Sequence, residues 1–257
     1  MEWSDLVYTW AVVCPLVFLG GLVDAVAGGG GLVSLPAYLL AGLPAHIASG
    51  TNKCSSTFGA VLSTARFLKR GDIHLPSALA GAVGGLIGSW AGARLNLVVP
   101  ERALYYLLLA VVPVMAVFLL LKRDFGGENG SSQFSLPQLI AMSVGIGLVI
   151  GAYDGFFGPG AGTFLILAYT GLCKFDLLTA SGNTKAANLG SNFAALVAFA
   201  LAGKVVWAVG LPAALCSIAG NYVGSSMALK GGAKVIRPMF FVVLALLVAR
   251  LVYNLVV

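Results

Sequence analysis

The sequence predicts an all-α, polytopic membrane protein with about eight transmembrane helices and two short glycine-broken segments, arranged as two repeated halves. Its 257 residues are 59% hydrophobic and only 9% charged, with a mean hydropathy of +0.97. A soluble domain carries about 25% charged residues to keep its surface hydrated, so a soluble globular fold is excluded. Apolar runs close to the roughly 20 residues of one membrane span, and motifs that occur twice, complete the prediction.

Eight apolar runs are candidate membrane spans. Two of them contain a single lysine: Lys53 lies in the run from about Pro44 to Leu68, and Lys185 in the run from about Phe175 to Ala202. An ionisable group inside a bilayer is costly and usually faces a cavity or a partner, so these two runs are candidates for function. The other six are nearly uncharged and lie at about Leu6 to Ala27, Leu75 to Ala93, Ala103 to Leu121, Leu136 to Tyr153, Val205 to Leu229 and Met239 to Ala249.

Two shorter apolar stretches, about Leu32 to Ala41 and about Gly162 to Leu172, each follow a glycine-rich break. At 1.5 Å per residue they are too short for a full crossing. We therefore expect half-helices or re-entrant segments at these two places.

A hydrophilic linker at about 123–135 divides this single membrane domain into halves of about 1–122 and 136–257. The halves share motifs at an offset of 130 residues, which becomes 132 after a two-residue insertion. Internal duplication of this kind is typical of secondary transporters. The matching pairs are Asp24 and Asp154, Gly28 and Gly158, Gly30 and Gly160, Lys53 and Lys185, Gly88 and Gly220, and Gly92 and Gly224.

The distribution of Lys and Arg predicts that the halves are inverted, with the linker inside and both termini outside. Basic residues prefer cytoplasmic loops, and inversion places eight on one side against three, whereas parallel halves give six against five. The eight are Arg66, Lys69, Arg70, Lys122, Arg123, Lys230, Lys234 and Arg237, and the three are Arg94, Arg102 and Lys204.

The first candidate site consists of the two glycine-rich breaks. Gly28 and Gly30 follow Asp24, and Gly158 and Gly160 follow Asp154. Glycine costs about 1 kcal/mol in a helix interior and proline about 3, so the helix must break at these runs. Irregular backbone at membrane depth is tolerated where it lines a cavity, and the N-terminus of the next half-helix suits an anion. Close helix packing is the structural alternative.

The second candidate site is built around the two lysines, each about nine residues into its helix. Their polar neighbours predict an anion pocket to which both inverted halves contribute. Mutual neutralisation of Lys53 and Lys185 by Asp24 and Asp154 is the structural alternative. The two aspartates could also cap helices or relay protons. The polar neighbours are Asn52, Thr184, Asn188 and Asn192.

The motifs around these residues resemble those of the TauE/SafE family of sulfite and organosulfonate exporters. The resemblance runs from about Asp24 to Arg237. It implies a plasma-membrane permease with two related halves, associated with export of small sulfur-containing anions such as sulfite or sulfoacetate. The segments that carry it are DAVAGGGGLVSLP from Asp24, ASGTNK ending at Lys53, GAYDGFFGPG ending at Gly160, and KAANLGSN from Lys185.

The sequence therefore predicts a secondary permease for a small anion, working by alternating access in the plasma or inner membrane. An anion channel is the nearer alternative and an intramembrane enzyme the more distant one, because no HExxH, paired-cysteine or Ser/His/Asp constellation occurs. We expect no catalytic residues, no metal and no cofactor. The expected partners are the anion and the lipid bilayer, and not nucleic acid, because the basic residues cluster at the ends of apolar segments.

Overall fold

A computed structural model describes residues 3–104, 106, 129–232 and 234–235. Within these residues the protein is helical and contains no strand, which confirms the predicted all-α class. The candidate spans at Ala103 to Leu121 and Met239 to Ala249 fall outside the described residues, apart from the start of the first. The helices are α1 (Trp3–Ala27), α2 (Gly31–Leu40), α3 (Ala45–Arg70), α4 (Leu75–Val98), α5 (Leu136–Phe156), α6 (Ala161–Gly171), α7 (Leu177–Leu201) and α8 (Trp207–Gly231), with a single 3₁₀ turn at Ser131–Gln133.

Helix ends follow local capping chemistry. Ser135 and Gln138 form a capping box at the start of α5. The Asp176 carboxylate accepts hydrogen bonds from the backbone N–H groups of Leu178 and Thr179, both at 3.0 Å, at the start of α7. Gly71, with φ of 83°, ends α3. These signals mark the start of α5, the start of α7 and the end of α3.

The two predicted breaks are present. α1 ends at Ala27 and the ten-residue α2 begins at Gly31. In the second half α5 ends at Phe156 and the eleven-residue α6 begins at Ala161. Gly28, Gly158 and Gly160 have φ of 73°, 94° and 81°, values that interrupt a right-handed helix and favour glycine.

The first helix of each half packs against the last described helix of the other half. α4 crosses α5 so closely that a Cβ on Gly88 would overlap the carbonyl oxygen of Leu148. α8 crosses α1 in the same way, with Gly220 against the carbonyl of Phe18. Gly220 is the 132-residue counterpart of Gly88, and Leu148 the 130-residue counterpart of Phe18. The contact of α4 with α5 and the contact of α8 with α1 are therefore equivalent under the repeat.

The central helices α3 and α7 run in opposite directions. Gly50, near the start of α3, lies against the carbonyl of Lys204, just beyond the end of α7. Gly182, near the start of α7, lies against the carbonyl of Asp72, just beyond the end of α3. This corresponding pair of helices is thus antiparallel, as inverted repeats require. Inversion across a membrane stays a prediction.

By length and composition alone, two of the described helices, Asp5–Ala27 and Leu136–Phe156, are apolar enough to cross a membrane. The helices α3, α4, α7 and α8 are rich in Gly, Ala and Ser, which lowers their mean hydropathy. Their outward faces are nevertheless apolar: Leu79 and Leu215 are 59% and 70% exposed. Such surface suits lipid better than water, and the total of eight spans stays a prediction.

Candidate functional site

The two helix breaks lie against each other in the middle of the molecule. A Cβ on Gly28 would overlap the backbone of Gly162, and Gly31 faces Pro159. The hydroxyl of Thr163 donates a hydrogen bond to the carbonyl oxygen of Ala27 at 2.9 Å. The N-termini of α2 and α6 are thereby brought together, and helix N-termini carry partial positive charge.

A cavity lies between these breaks and the central helices. The space open to the centre of a water molecule measures about 30 Å³, which is more than one water requires. Nine of the twelve residues predicted from the sequence as binding or coupling residues line it. They are Asp24, Gly28, Gly30, Asn52, Lys53, Asp154, Gly158, Asn188 and Asn192.

Lys53 reaches this cavity from the ninth position of α3. Its ammonium group lies 2.8 Å from Oδ1 of Asp154 and donates to Oδ1 of Asn192 at 2.9 Å. It also lies beside Gly158, in the second break. An ammonium group has three donor hydrogens, so these two partners leave one hydrogen for a ligand.

Lys185 occupies the equivalent ninth position of α7 but does not line the cavity. It is fully buried, and its ammonium group donates to the backbone carbonyl of Asp24 and lies 3.4 Å from the Asp24 carboxylate. Each lysine is therefore paired with the aspartate of the opposite half. These are the ion pairs that the structural alternative expects.

The two aspartates differ in their surroundings. Asp154 is buried and also accepts a hydrogen bond from the hydroxyl of Ser191. The Asp24 side chain is 23% exposed. The position equivalent to Ser191 in the first half is Gly59, which has no side chain with which to donate. The carboxylate of Asp24 is consequently held less tightly than that of Asp154.

Three predicted site residues lie outside the cavity wall: Gly160, Thr184 and Lys185. Thr184 is fully buried, and its hydroxyl has no hydrogen-bond partner among the described residues. Gly160 instead forms the αL turn that starts α6. Whether these three bind a ligand stays a prediction, as it does for the nine residues in the wall.

The polar residues of the wall that sequence reasoning missed include Ser217 and Asn221 on α8. The available signal was their spacing, because Ser217, Asn221 and Ser225 recur every fourth residue and so form a polar stripe on an apolar helix. Polar residues on one face of a membrane helix mark an interior surface.

The charges of the site balance, with two lysines against two aspartates. An anion that joins Lys53 therefore leaves the site with one net negative charge, unless it arrives together with a proton that neutralises a carboxylate. Among the described residues no group of three or more His, Cys, Asp or Glu side chains could hold a metal ion.

Comparison with known proteins identifies the family of this chain. The family described as sulfite exporter TauE/SafE matches residues 13–251. The chain is 36% identical to a probable membrane transporter protein from a Sinorhizobium species, over 91% of this chain and 88% of that protein. It is also 36% identical to the probable membrane transporter protein YfcA of Escherichia coli, over 93% and 88%. A probable membrane transporter protein of Haemophilus influenzae is 31% identical over 95% and 94%. No solved structure matches significantly.

Proposed function

Since this chain belongs to the sulfite exporter TauE/SafE family and is therefore a membrane transporter, we propose that it carries a small anion by alternating access. The position of Lys53 is the main support for this proposal, because it places a buried cation at the wall of a cavity that both helix breaks line. The anion is a sulfur-containing one, such as sulfite or an organosulfonate. This choice of substrate rests on the family description alone.

The cavity wall offers an anion several donors. One ammonium hydrogen of Lys53 is free of the partners described above, and the amide of Asn188 lies against Gly162 at the start of α6. Charge-assisted hydrogen bonds are roughly twice as strong as neutral ones, and the facing N-termini of α2 and α6 add partial positive charge. Lys53 supplies the positive charge, and the hydrogen bonds of the amide and backbone groups orient the anion.

Alternating access is supported by the exchanged contacts of the two halves. The Gly88–Leu148 and Gly220–Phe18 crossings are equivalent, so each half can rock against the other while the same kinds of contact are kept. Rocking of one repeat against the other around a central site is the usual mechanism of transporters with inverted repeats. We place the protein in the plasma or inner membrane as a multi-pass protein.

Proton coupling by Asp24 and Asp154 belongs to the same proposal. Protonation of Asp154 would release Lys53 to the anion, and the loaded site would stay electrically balanced. The carboxylate of Asp24 would act on Lys185 in the same way. The anion would then move together with a proton.

Counterflow in proteoliposomes tests the proposal. A carrier exchanges external labelled sulfite for internal unlabelled sulfite without a net gradient, and the Lys53→Gln variant should lose most of this exchange. A channel, the second candidate, shows no such trans-stimulation. Sulfite flux without trans-stimulation would exclude the carrier, and exchange that is unchanged in Lys53→Gln would exclude this site.

A further inference from the structure

The cavity wall contains buried hydrogen-bond acceptors that an anion with acceptors alone cannot satisfy. Oδ1 of Asn52 and Oδ1 of Asn221 have no hydrogen-bond partner among the residues that the structure describes. Both side chains are more than nine-tenths buried, at 7% and 2% exposed, and both line the cavity that Lys53 lines. Buried polar groups are normally paired. These two unpaired oxygens therefore indicate that a ligand in the cavity donates hydrogen bonds.

The orientation of the Asn221 amide is fixed by its neighbour. Nδ2 of Asn221 lies 3.0 Å from the backbone carbonyl oxygen of Ser217 and 3.4 Å from its hydroxyl. A carbonyl oxygen only accepts hydrogen bonds, so the NH₂ group must point to Ser217. Oδ1 of Asn221 therefore presents an acceptor on its other side.

Asn52 occupies the same position relative to Lys53 as Thr184 does to Lys185. Lys53 directs its ammonium group to Asp154 and Asn192, and among the described residues nothing donates to the Oδ1 of the neighbouring Asn52. The partly exposed carboxylate of Asp24 adds a further acceptor to the same wall. The cavity wall thus combines a cationic donor, Lys53, with acceptors at Asn52, Asn221 and Asp24, of which the two amide oxygens have no partner among the described residues.

We propose that the transported ligand is an anion that carries its own hydrogen-bond donor, a hydroxyl or ammonium group, and that Asn52 and Asn221 recognise this donor. The inference rests on the proposed function, because it presumes that Lys53 binds the anionic group. An acceptor-only anion would leave the oxygens of Asn52 and Asn221 without a hydrogen bond, whereas a donor-bearing anion can satisfy one of them while its anionic group binds Lys53.

A matched pair of sulfonates tests this proposal on the purified full-length protein. Ethanesulfonate has no donor, and 2-hydroxyethanesulfonate adds one hydroxyl, so the ratio of their dissociation constants by calorimetry isolates the donor. We expect the hydroxylated anion to bind roughly 2- to 10-fold tighter, the range of one net hydrogen bond. Asn221→Leu, which removes the acceptor, should bring the ratio close to one while ethanesulfonate still binds.

Ser225→Ala is the matched control, because Ser225 is buried one turn further along α8 and does not line the cavity; it should keep the ratio. Asn52→Ala should also reduce the ratio and replaces Asn221→Leu if that variant fails to fold. A ratio near one in the unsubstituted protein overturns the proposal without any variant. Sodium-dependent binding with no preference for the hydroxyl also overturns it, since the acceptors would then serve a cation.

Failure of the proposed function gives a different result. If ethanesulfonate and 2-hydroxyethanesulfonate both bind, and binding survives Lys53→Gln unchanged, then the anion site at Lys53 is wrong and the donor assignment is overturned with it. If binding depends on Lys53 but the ratio is one, only the donor assignment is overturned.

Discussion

Lys53 and Lys185 occupy equivalent positions, yet they differ in what a ligand can reach. Lys53 lines the cavity, whereas Lys185 is sealed against Asp24. We expect Lys53→Gln to weaken sulfite binding by about 10- to 100-fold, because a charge-assisted hydrogen bond contributes about 1.5 to 3 kcal/mol. Lys185→Gln is the matched comparison, and its effect should fall mainly on thermal stability, since it leaves a carboxylate without its cation.

Thermal shift with sulfite measures both effects, because a ligand that binds the folded state raises its melting temperature. The double variant Lys53→Gln/Asp154→Asn removes both charges of one pair. It should regain stability and still fail to bind, which separates folding from recognition. Equal loss of sulfite binding in both single-lysine variants would contradict the assignment of the cavity wall.

The aspartates lead to a prediction about pH. Protonating Asp154 would free Lys53, so binding of ethanesulfonate, whose own charge stays the same near neutral pH, should strengthen as the pH falls, and Asp154→Asn should remove this dependence while preserving binding. The groups that face Asp154 are Lys53 and Ser191. Asp72→Asn, in the α3–α4 loop, is the control and should keep the pH dependence. Calorimetric binding of ethanesulfonate at several pH values is the measurement, and an unchanged profile in both Asp154→Asn and Asp24→Asn would exclude these carboxylates from coupling.

For individual residues, the sequence could identify the charged residues of the site but not their partners. The repeated motifs singled out both lysines and both aspartates, because charge in an apolar span is conspicuous. Which aspartate meets which lysine depends on how the halves pack, which local sequence does not encode. Asn221 escaped notice because a single amide in an apolar helix is also compatible with ordinary packing.

At the scale of the helices, the close crossing of α4 and α5 predicts a sensitive position. A Cβ on Gly88 would overlap the Leu148 carbonyl, whereas a Cβ on Gly145, on α5, meets nothing within 4 Å. Gly88→Ala should therefore destabilise the protein by about 1 to 3 kcal/mol through overpacking. Gly145→Ala should be neutral or slightly stabilising. Thermal unfolding in detergent compares the two, and equal melting temperatures would contradict the tight crossing.

The break after α1 should be more sensitive still. Gly28 combines a φ of 73° with direct contact to the backbone of Gly162, so Gly28→Ala should cost about 2 to 5 kcal/mol. Gly42 has a φ of 85° and open space around its Cα. Gly42→Ala should therefore lower the free energy of unfolding only by the cost of the left-handed backbone conformation, about 1 to 2 kcal/mol. Similar losses in the two variants would mean that the breaks do not need to touch.

Most helix boundaries could be predicted at this scale, because they depend on glycine and proline signals that act locally. The predicted stretch at Leu32 to Ala41 corresponds to α2, and that at Gly162 to Leu172 to α6. The contact between the two breaks could not be predicted. It joins residues about 130 positions apart, and the repeat shows which residues are equivalent but not which residues touch.

For the whole molecule, the predicted topology places the linker inside and the α7–α8 loop outside. In a background without the four native cysteines, Asn129→Cys should resist an impermeant thiol reagent in intact cells, and Ala202→Cys should react. Both positions are exposed, so accessibility within the fold does not distinguish them. Labelling of Asn129→Cys alone would show that the protein has the opposite orientation in the membrane. Labelling of both variants would contradict the inverted arrangement of the halves.

The exchange of ion pairs between the halves also bears on how such a chain could have arisen. A half-length ancestor would have carried one lysine and one aspartate, equivalent to Lys53 and Asp24, that did not neutralise each other within the same copy. Two copies would have balanced these charges only by associating, and the predicted inversion of the halves, with which the opposite directions of α3 and α7 agree, would have required them to insert in opposite orientations. Duplication and fusion would then have fixed in one polypeptide an assembly that a population of half-length chains had to form by chance encounter.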